Sequence, residues 1–213
     1  PLVLERRLDA HADLPRPLVW DAGDPWRFEL ELRREREKNE DRLVLRGRLV
    51  RGDEKVDVEA PEMLLAHGLV LFKDRVARLS STESFEWILN LRKQGPLVVP
   101  AREGEPLVER LWQTPGTPPL DLPTDFRWRE RRPAPIPRIR IHPPNEAWHG
   151  ASLSAEVSFE YEGLHAPASS EVPSLVRRDQ RIVIHRDLVK EGEALAKLPP
   201  LGFRSFSRGT GRV

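Results

Sequence analysis

The stretch Trp26-Arg-Phe-Glu-Leu-Glu-Leu-Arg33 alternates apolar and charged residues without interruption. Such a period of two places the apolar side chains on one face of a β-strand and the charged side chains on the other. Residues 43–50 contain a similar pattern with three leucines on one face, and the nearly all-charged run 33–41 lies between the two stretches. The sequence therefore predicts a long antiparallel hairpin with one buried face.

The rest of the N-terminal half contains short blocks of strand and helix character. Lys73-Asp74 separates two apolar runs and predicts a tight hairpin, whereas Gly95-Pro96 ends a helix that Ser81 or Thr82 can cap. No predicted helix is long enough to make the fold helical. The predicted elements are strands at 56–58, 69–72, 75–79 and 97–99, and helices at 61–68, 82–92 and 103–113.

A change in proline content divides the chain near its middle. Residues 114–119 read Thr-Pro-Gly-Thr-Pro-Pro, and residues 133–137 read Pro-Ala-Pro-Ile-Pro. This spacing favours an extended, polyproline-like conformation that connects modules. We therefore predict an N-terminal β-rich module with two short helices at 1–118, a Pro/Arg-rich connection at 119–137, a C-terminal β module with a terminal helix at 138–206, and a frayed tail at 207–213.

The clearest single strand is Leu153-Ser-Ala-Glu-Val-Ser-Phe-Glu-Tyr161, in which every second residue is apolar. Glu162-Gly163 after it has turn chemistry. Asp187 is placed to cap a helix that Pro199-Pro200 stops. Further strands are predicted at 138–141, 164–166 and 182–185. The predicted fold class is mainly β (α+β), with two β-rich modules and a few short helices joined by a Pro-rich connection.

Residue content and motifs exclude several classes of catalytic site. The 213-residue chain has no cysteine, which excludes disulfides, thiolate zinc sites and cysteine nucleophiles. It contains no Gly-x-x-x-x-Gly-Lys-Ser/Thr phosphate loop and no Gly-x-Ser-x-Gly nucleophile elbow. His11 with Asp13 is the tightest candidate for binding a metal, but no second histidine is spaced to join them. We therefore predict no catalytic residues, no metal site and no cofactor.

The sequence indicates neither a secretion signal nor a membrane span. No apolar stretch approaches the roughly 18 residues that suggest a membrane-spanning helix. Residues 1–7 lack the shape of a signal peptide. We expect a segment of a larger bacterial protein that is cytoplasmic and nucleoid-associated and has no membrane partner.

One segment is basic enough to contact nucleic acid, although the whole chain is not. Lys+Arg total 35 and Asp+Glu total 34, so the net charge is +1 and any attraction must be local. Within 127–140, guanidinium groups can bind phosphates and an indole can stack on a base. A solvated linker is the alternative interpretation. The candidate nucleic-acid-binding residues are Arg127, Trp128, Arg129, Arg131, Arg132, Arg138 and Arg140. A weaker basic cluster, with aspartates beside it, comprises Arg177, Arg178, Arg181, Arg186 and Lys190.

The order of several short motifs resembles a known family. Phe159-Glu-Tyr-Glu-Gly163 is followed by Arg177-Arg-Asp179, by Arg186-Asp-Leu-Val-Lys-Glu191 and by Gly202-Phe203. Together with the stretch 61–79, this order resembles the region that precedes the motor in bacterial SNF2-type helicases. The resemblance covers roughly residues 55–205.

The resemblance implies a parent protein that moves along double-stranded DNA with ATP, through two RecA-like lobes on the C-terminal side of this segment. None of the motor motifs lies in these residues. The resemblance therefore implies an associated, non-catalytic role and transfers no individual functional residue. The implied partners are the SNF2-like ATPase lobes of the same polypeptide and double-stranded DNA.

Three functions follow as hypotheses. The leading one is an accessory domain that positions or regulates the motor of a SNF2-like DNA translocase and contacts DNA phosphates. The alternative is a protein–protein interaction scaffold without DNA contact. The third is a small enzyme with a pocket lined by His11, Asp13 or clustered carboxylates.

Overall fold

The computed structural model describes residues 18–37, 40–80, 84–143 and 154–203. In this part of the chain strands far outnumber helices, so the predicted mainly β class is confirmed. No helix within it is long and apolar enough to cross a membrane. The strands are β1 (Val19–Trp20), β2 (Arg27–Glu37), β3 (Glu40–Arg51), β4 (Glu54–Asp57), β5 (Met63–Leu65), β6 (Leu69–Leu71), β7 (Arg75–Arg78), β8 (Leu97–Pro100), β9 (Leu120–Asp121), β10 (Arg129–Arg131), β11 (Ile136–His142), β12 (Ser154–Tyr161), β13 (Leu164–Pro167), β14 (Ser174–Arg177) and β15 (Ile182–His185). The α-helices are α1 (Phe85–Gln94), α2 (Gly104–Gln113) and α3 (Leu188–Leu195).

The chain divides into two compact units. The first consists of residues 1–104 and 116–125, and the second of residues 105–115 and 126–213. This division differs from the one that the proline content predicts, because residues 105–115, which include most of α2, belong to the second unit and the Pro-rich segment supplies a strand to each unit. β9 pairs with β2 in the first unit, and β10 pairs with β15 in the second.

The predicted long hairpin is confirmed at the centre of a five-stranded sheet in the first unit. β2 and β3 pair antiparallel from Arg27 opposite Val50 to Glu37 opposite Glu40. The sheet order is β4-β3-β2-β9, and β8 also pairs with β3. The buried face holds the apolar side chains that the alternation predicts, namely Phe28, Leu30, Leu32, Leu43, Leu45 and Leu49.

A four-stranded sheet in the order β1-β7-β6-β5 also belongs to the first unit. The hairpin predicted around Lys73-Asp74 is confirmed as β6 and β7. The helical turn predicted at 61–68 is wrong, because Met63–Leu65 is a strand that pairs antiparallel with β6. Only its middle residue, Leu64, is buried. A pattern of three residues is too short to separate a strand from a helix by period.

Trp26 is fully buried in the first unit and contacts both an aromatic ring and a cation. Its ring centroid lies 5.4 Å from that of Phe72, and the Arg51 guanidinium carbon lies 4.5 Å from it. Arg51 in turn donates to Asp21 at 2.7 Å. This hydrogen bond from Arg51 is the main reason that the pKa of Asp21 lies below its usual value. The contacts tie the end of β3 to the segment that follows β1.

Two three-stranded sheets and α3 form the second unit's core. The sheet orders are β10-β15-β14 and β11-β12-β13. Phe159, Tyr161, Ile182 and Ile184 form the buried cluster, and Leu195 of α3 packs against it. The strand predicted at 153–161 is confirmed over the described residues 154–161, and the turn at Glu162-Gly163 leads into β13. β14 was not predicted, because its four residues contain only two adjacent apolar side chains, Leu175 and Val176, and show no alternation.

The predicted start of α3 is confirmed by its cap. The Asp187 carboxylate accepts a hydrogen bond from the Lys190 backbone N–H at 3.0 Å. That hydrogen bond is the largest contribution to the lowered pKa of Asp187. The helix predicted at 82–92 is confirmed as α1, but its predicted caps, Ser81 and Thr82, lie outside the described residues.

Gly47 on β3 offers a test of the hairpin register. A Cβ added there would lie 2.7 Å from Phe28 Cε2 and 3.0 Å from Val58 Cγ1. We expect Gly47→Ala to lower the free energy of unfolding by about 1–3 kcal/mol, because the buried ring must move. Urea denaturation followed by tryptophan fluorescence measures this change.

The matched control is Gly192→Ala in α3, where an added Cβ meets nothing within 4 Å. Alanine favours helix more than glycine, so this variant should be more stable by about 0.5–1 kcal/mol. A Gly47→Ala protein as stable as the parent would contradict the assigned packing of Phe28 on β3.

Candidate nucleic-acid interface

The predicted nucleic-acid-binding residues lie on two strands of different sheets in the second unit. Arg129 and Arg131 belong to β10, and Arg138 and Arg140 belong to β11. Arg127 and Trp128 precede β10, and Arg132 follows it. All six arginines are exposed, whereas Trp128 is half-buried.

Trp128 is engaged in an aromatic pair. Its ring lies 5.2 Å from that of Trp112 on α2, with the planes inclined at 56°. Its indole Nε1 is buried and has no acceptor within the described residues. One side of this indole is therefore occupied by another side chain, which limits its use as a stacking platform for a base.

Several of the candidate arginines already have partners. Arg131 Nη1 donates to Glu162 at 2.8 Å, and Arg138 Nη2 lies 2.6 Å from the Glu160 carboxylate. Arg129 Nη2 donates to the Gln180 carbonyl at 3.5 Å. Arg127 also takes part in an interaction within the chain. A phosphate would have to compete with these acceptors.

Arg132 and Arg140 differ from the other candidates. Neither has a carboxylate within ion-pair distance among the residues that the structure describes. Arg140 lies opposite Glu156 in the β11–β12 register, but that carboxylate lies 3.4 Å from His142 Nε2. These two guanidinium groups are therefore the ones best placed to donate hydrogen bonds to a phosphate.

The weaker basic cluster has an internal role. Arg178 donates to Glu109 on α2 at 2.6 Å, and Arg181 donates to Glu105 on the same helix. Arg177 donates to the Glu162 carbonyl at 2.7 Å. The cluster thus connects α2 and the β12–β13 turn to the segment between β14 and β15.

On the charged face of the five-stranded sheet, arginine and carboxylate side chains also neutralise one another. Glu31 is buried and accepts from Arg33 at 2.7 Å and from Arg48 at 2.9 Å. Burial acts to raise the pKa of Glu31, but the hydrogen bonds from the two arginines outweigh it and lower the pKa overall. Alternating charge of this kind gives no single-sign field that would attract a polyanion.

A buried polar network joins β12 to the start of α3. The Tyr161 hydroxyl donates to Glu191 and accepts from the Asp187 backbone N–H at 3.0 Å. Arg186 donates to both Glu191 oxygens, at 2.9 and 2.6 Å, which is the bidentate geometry that guanidinium favours. Its remaining nitrogen donates to the carbonyls of Ser170 and Val172, so the buried charges are paired and hydrogen-bonded.

Ser174, His185 and Glu130 form a constellation that sequence patterns did not indicate. The Ser174 hydroxyl lies 3.0 Å from His185 Nδ1, and Glu130 lies 2.9 Å from His185 Nε2. The serine hydrolase triad uses the two ring nitrogens in the opposite sense. Ser174 is also only 2 % exposed, so a substrate carbonyl cannot reach its oxygen in this conformation. The trio links one residue from each strand of the β10-β15-β14 sheet.

The metal site considered from sequence involves residues that the structure does not describe. His11 and Asp13 lie outside the described ranges. Within those ranges, no group of three or more histidine, aspartate or glutamate residues is arranged to hold a metal ion.

Comparison with known proteins adds no relative. No protein-family model, curated protein or solved structure matches this chain. The resemblance to the SNF2-associated region therefore stays a prediction, and the function has to be argued from the contacts described above.

Tyr161 is the only tyrosine in the chain, so its titration can be observed directly. Burial, together with the hydrogen bond to Glu191, raises the pKa of Tyr161 to about 12. We expect the phenolate absorbance of the folded protein to appear near that pH. In urea the same residue should titrate near pH 10, the usual value for tyrosine.

Because the folded pKa is raised, the stability that Tyr161 contributes is complete below about pH 10 and lost as the pH rises through the folded pKa. Tyr161→Phe should remove this alkaline loss, which urea denaturation at several pH values measures. A phenolate midpoint near pH 10 in the folded protein would rule out the buried hydrogen bond to Glu191.

Proposed function

We propose that this chain is a non-catalytic accessory region of a SNF2-like, ATP-dependent DNA translocase, in which it positions or regulates the motor. One observation carries the proposal. Four of the motif residues that carry the resemblance, Tyr161, Arg186, Asp187 and Glu191, take part in the buried network of the second unit. A shared pattern that maintains a fold suits an accessory region better than an active site.

The proposed contact with DNA is local and independent of base sequence. Arg132 and Arg140 would supply it, because phosphate contacts fix position and carry little base information. Arg131 and Arg138 would contribute less, since each already holds a carboxylate. A weak contact of this kind would place the protein at the nucleoid while the ATPase lobes of the same polypeptide provide movement.

A protein–protein scaffold is a second candidate, because one face of the β1-β7-β6-β5 sheet carries an apolar row whose two end residues are exposed. Trp20, Val76, Leu71 and Met63 lie opposite one another across the four strands. Trp20 is 54 % exposed and Met63 is 45 % exposed. An apolar row that is partly exposed among the described residues is typical of an interaction surface.

The DNA contact is tested by fluorescence-anisotropy titration of the chain with a labelled duplex over a range of salt concentrations. Arg132→Ala with Arg140→Ala should reduce the slope of log affinity against log salt by about 2, since two phosphate contacts are lost. Arg131→Ala with Arg138→Ala removes the same charge and should leave that slope nearly unchanged. An affinity that does not vary with salt would exclude this mode of DNA binding.

The scaffold candidate predicts a different result. The chain would not bind duplex but would bind the separately produced ATPase lobes in a calorimetric titration. Trp20→Asp with Met63→Asp should then weaken that binding by about tenfold or more. Leu89→Asp, at an equally exposed position on α1, is the control and should have no effect. Equal binding of the ATPase lobes by the unchanged chain and by both variants would exclude the apolar row as the interaction surface.

A further inference from the structure

β11 is an edge strand of its sheet, and among the described residues its outer edge is unpaired and its side chains are exposed on both faces. In the β11-β12-β13 sheet its inner edge pairs with β12 along its whole length. No strand among the described residues pairs with its outer edge. Residues 136–141 are exposed throughout, so both faces of the strand are accessible as well as its edge.

The two faces of β11 have different chemistry. Ile139 and Ile141 share the face of Val157 and Ala155, which lie opposite them on β12, and they are 44 % and 60 % exposed. Arg138 and Arg140 occupy the other face. The accessible edge therefore presents apolar and basic side chains in alternation.

We propose that the outer edge of β11 binds an extended segment of a partner protein in which apolar and acidic residues alternate. Such a segment would add a strand to the sheet through main-chain hydrogen bonds, and its side chains would determine specificity. Its apolar residues would cover Ile139 and Ile141, and an acidic residue opposite Arg140 would supply the carboxylate that this guanidinium lacks among the described residues. Pro137, which cannot donate a backbone hydrogen bond, confines pairing to the rest of the strand.

Charge argues against a second copy of this chain as the occupant. Full antiparallel pairing of two β11 strands sets Arg138 of one copy opposite Arg140 of the other. Like charges directly opposite each other in a sheet are destabilising. An acidic strand avoids this repulsion and replaces it with attraction.

Geometry favours a peptide strand over DNA at this edge. A phosphate would satisfy Arg140 but would leave Ile139, Ile141 and the backbone edge uncovered. The inference shares Arg140 with the proposed DNA contact, but it also uses the strand edge and the apolar face, which that contact does not use, and it does not depend on the proposed function.

The test is a fluorescence titration of the whole chain with a short labelled peptide of alternating glutamate and valine. A lysine–valine peptide and a glutamate–valine peptide with alternate backbone amides methylated are the controls. We expect the glutamate–valine peptide to bind at least about tenfold more tightly than either control, because only it supplies both the charge and the backbone pairing. Equal binding of the three peptides, or no binding of any, would overturn the proposal.

Two variants test this site, and the second of them separates it from the DNA contact. Arg138→Glu with Arg140→Glu should reverse the preference in favour of the lysine–valine peptide. Ile139→Ser with Ile141→Ser should weaken glutamate–valine binding about tenfold and leave duplex affinity unchanged. Circular dichroism verifies that each variant is folded. The edge would be assigned to DNA instead if two results came together. Duplex would displace the peptide from the unchanged chain, and the isoleucine substitutions would not weaken peptide binding.

Discussion

The pairing of arginine with carboxylate is the interaction on which both units depend. A buried charge without a partner costs several kcal/mol, so each guanidinium or carboxylate that folding removes from water must have one nearby. In the first unit, Arg33 and Arg48 hold the buried Glu31. In the second unit, Arg186 holds Glu191 with two hydrogen bonds. These pairs fix the strands and the helix that carry them, because a displacement of either side would leave a buried charge unpaired.

The same pairing limits what the surface can bind. A chain with nearly equal numbers of basic and acidic residues has no strong field of one sign, and most of its sheet arginines already contact acceptors. Any contact with a polyanion would therefore have to come from the few guanidinium groups that have no carboxylate partner among the described residues. Apolar faces and open strand edges then become at least as important for recognition as the overall composition of the basic segment 127–140.

Alternation predicts the long strands most directly. β2, β3 and β12 each bury one face, so their sequences repeat with a period of two over many residues. Short strands such as β15 could be predicted only where they form an apolar run, whereas β5 was assigned to a helical turn and β14 was missed. The candidate site was likewise predicted only in part. The arginine content identified the segment, but it did not indicate which acceptors the arginine side chains contact.

By itself, the sequence determined the mainly β class, the long hairpin, the turns and helix cap, and the exclusion of cysteine chemistry. These properties follow from residue type and from local alternation, which act between neighbours in the chain. Only the tertiary structure decided which arginines are neutralised, that Trp128 packs on Trp112, and that β11 pairs with one strand alone among the described residues. The physical reason is distance along the chain: Arg178 and Glu109, for example, are 69 positions apart, and no local pattern records the partner that folding brings to a side chain.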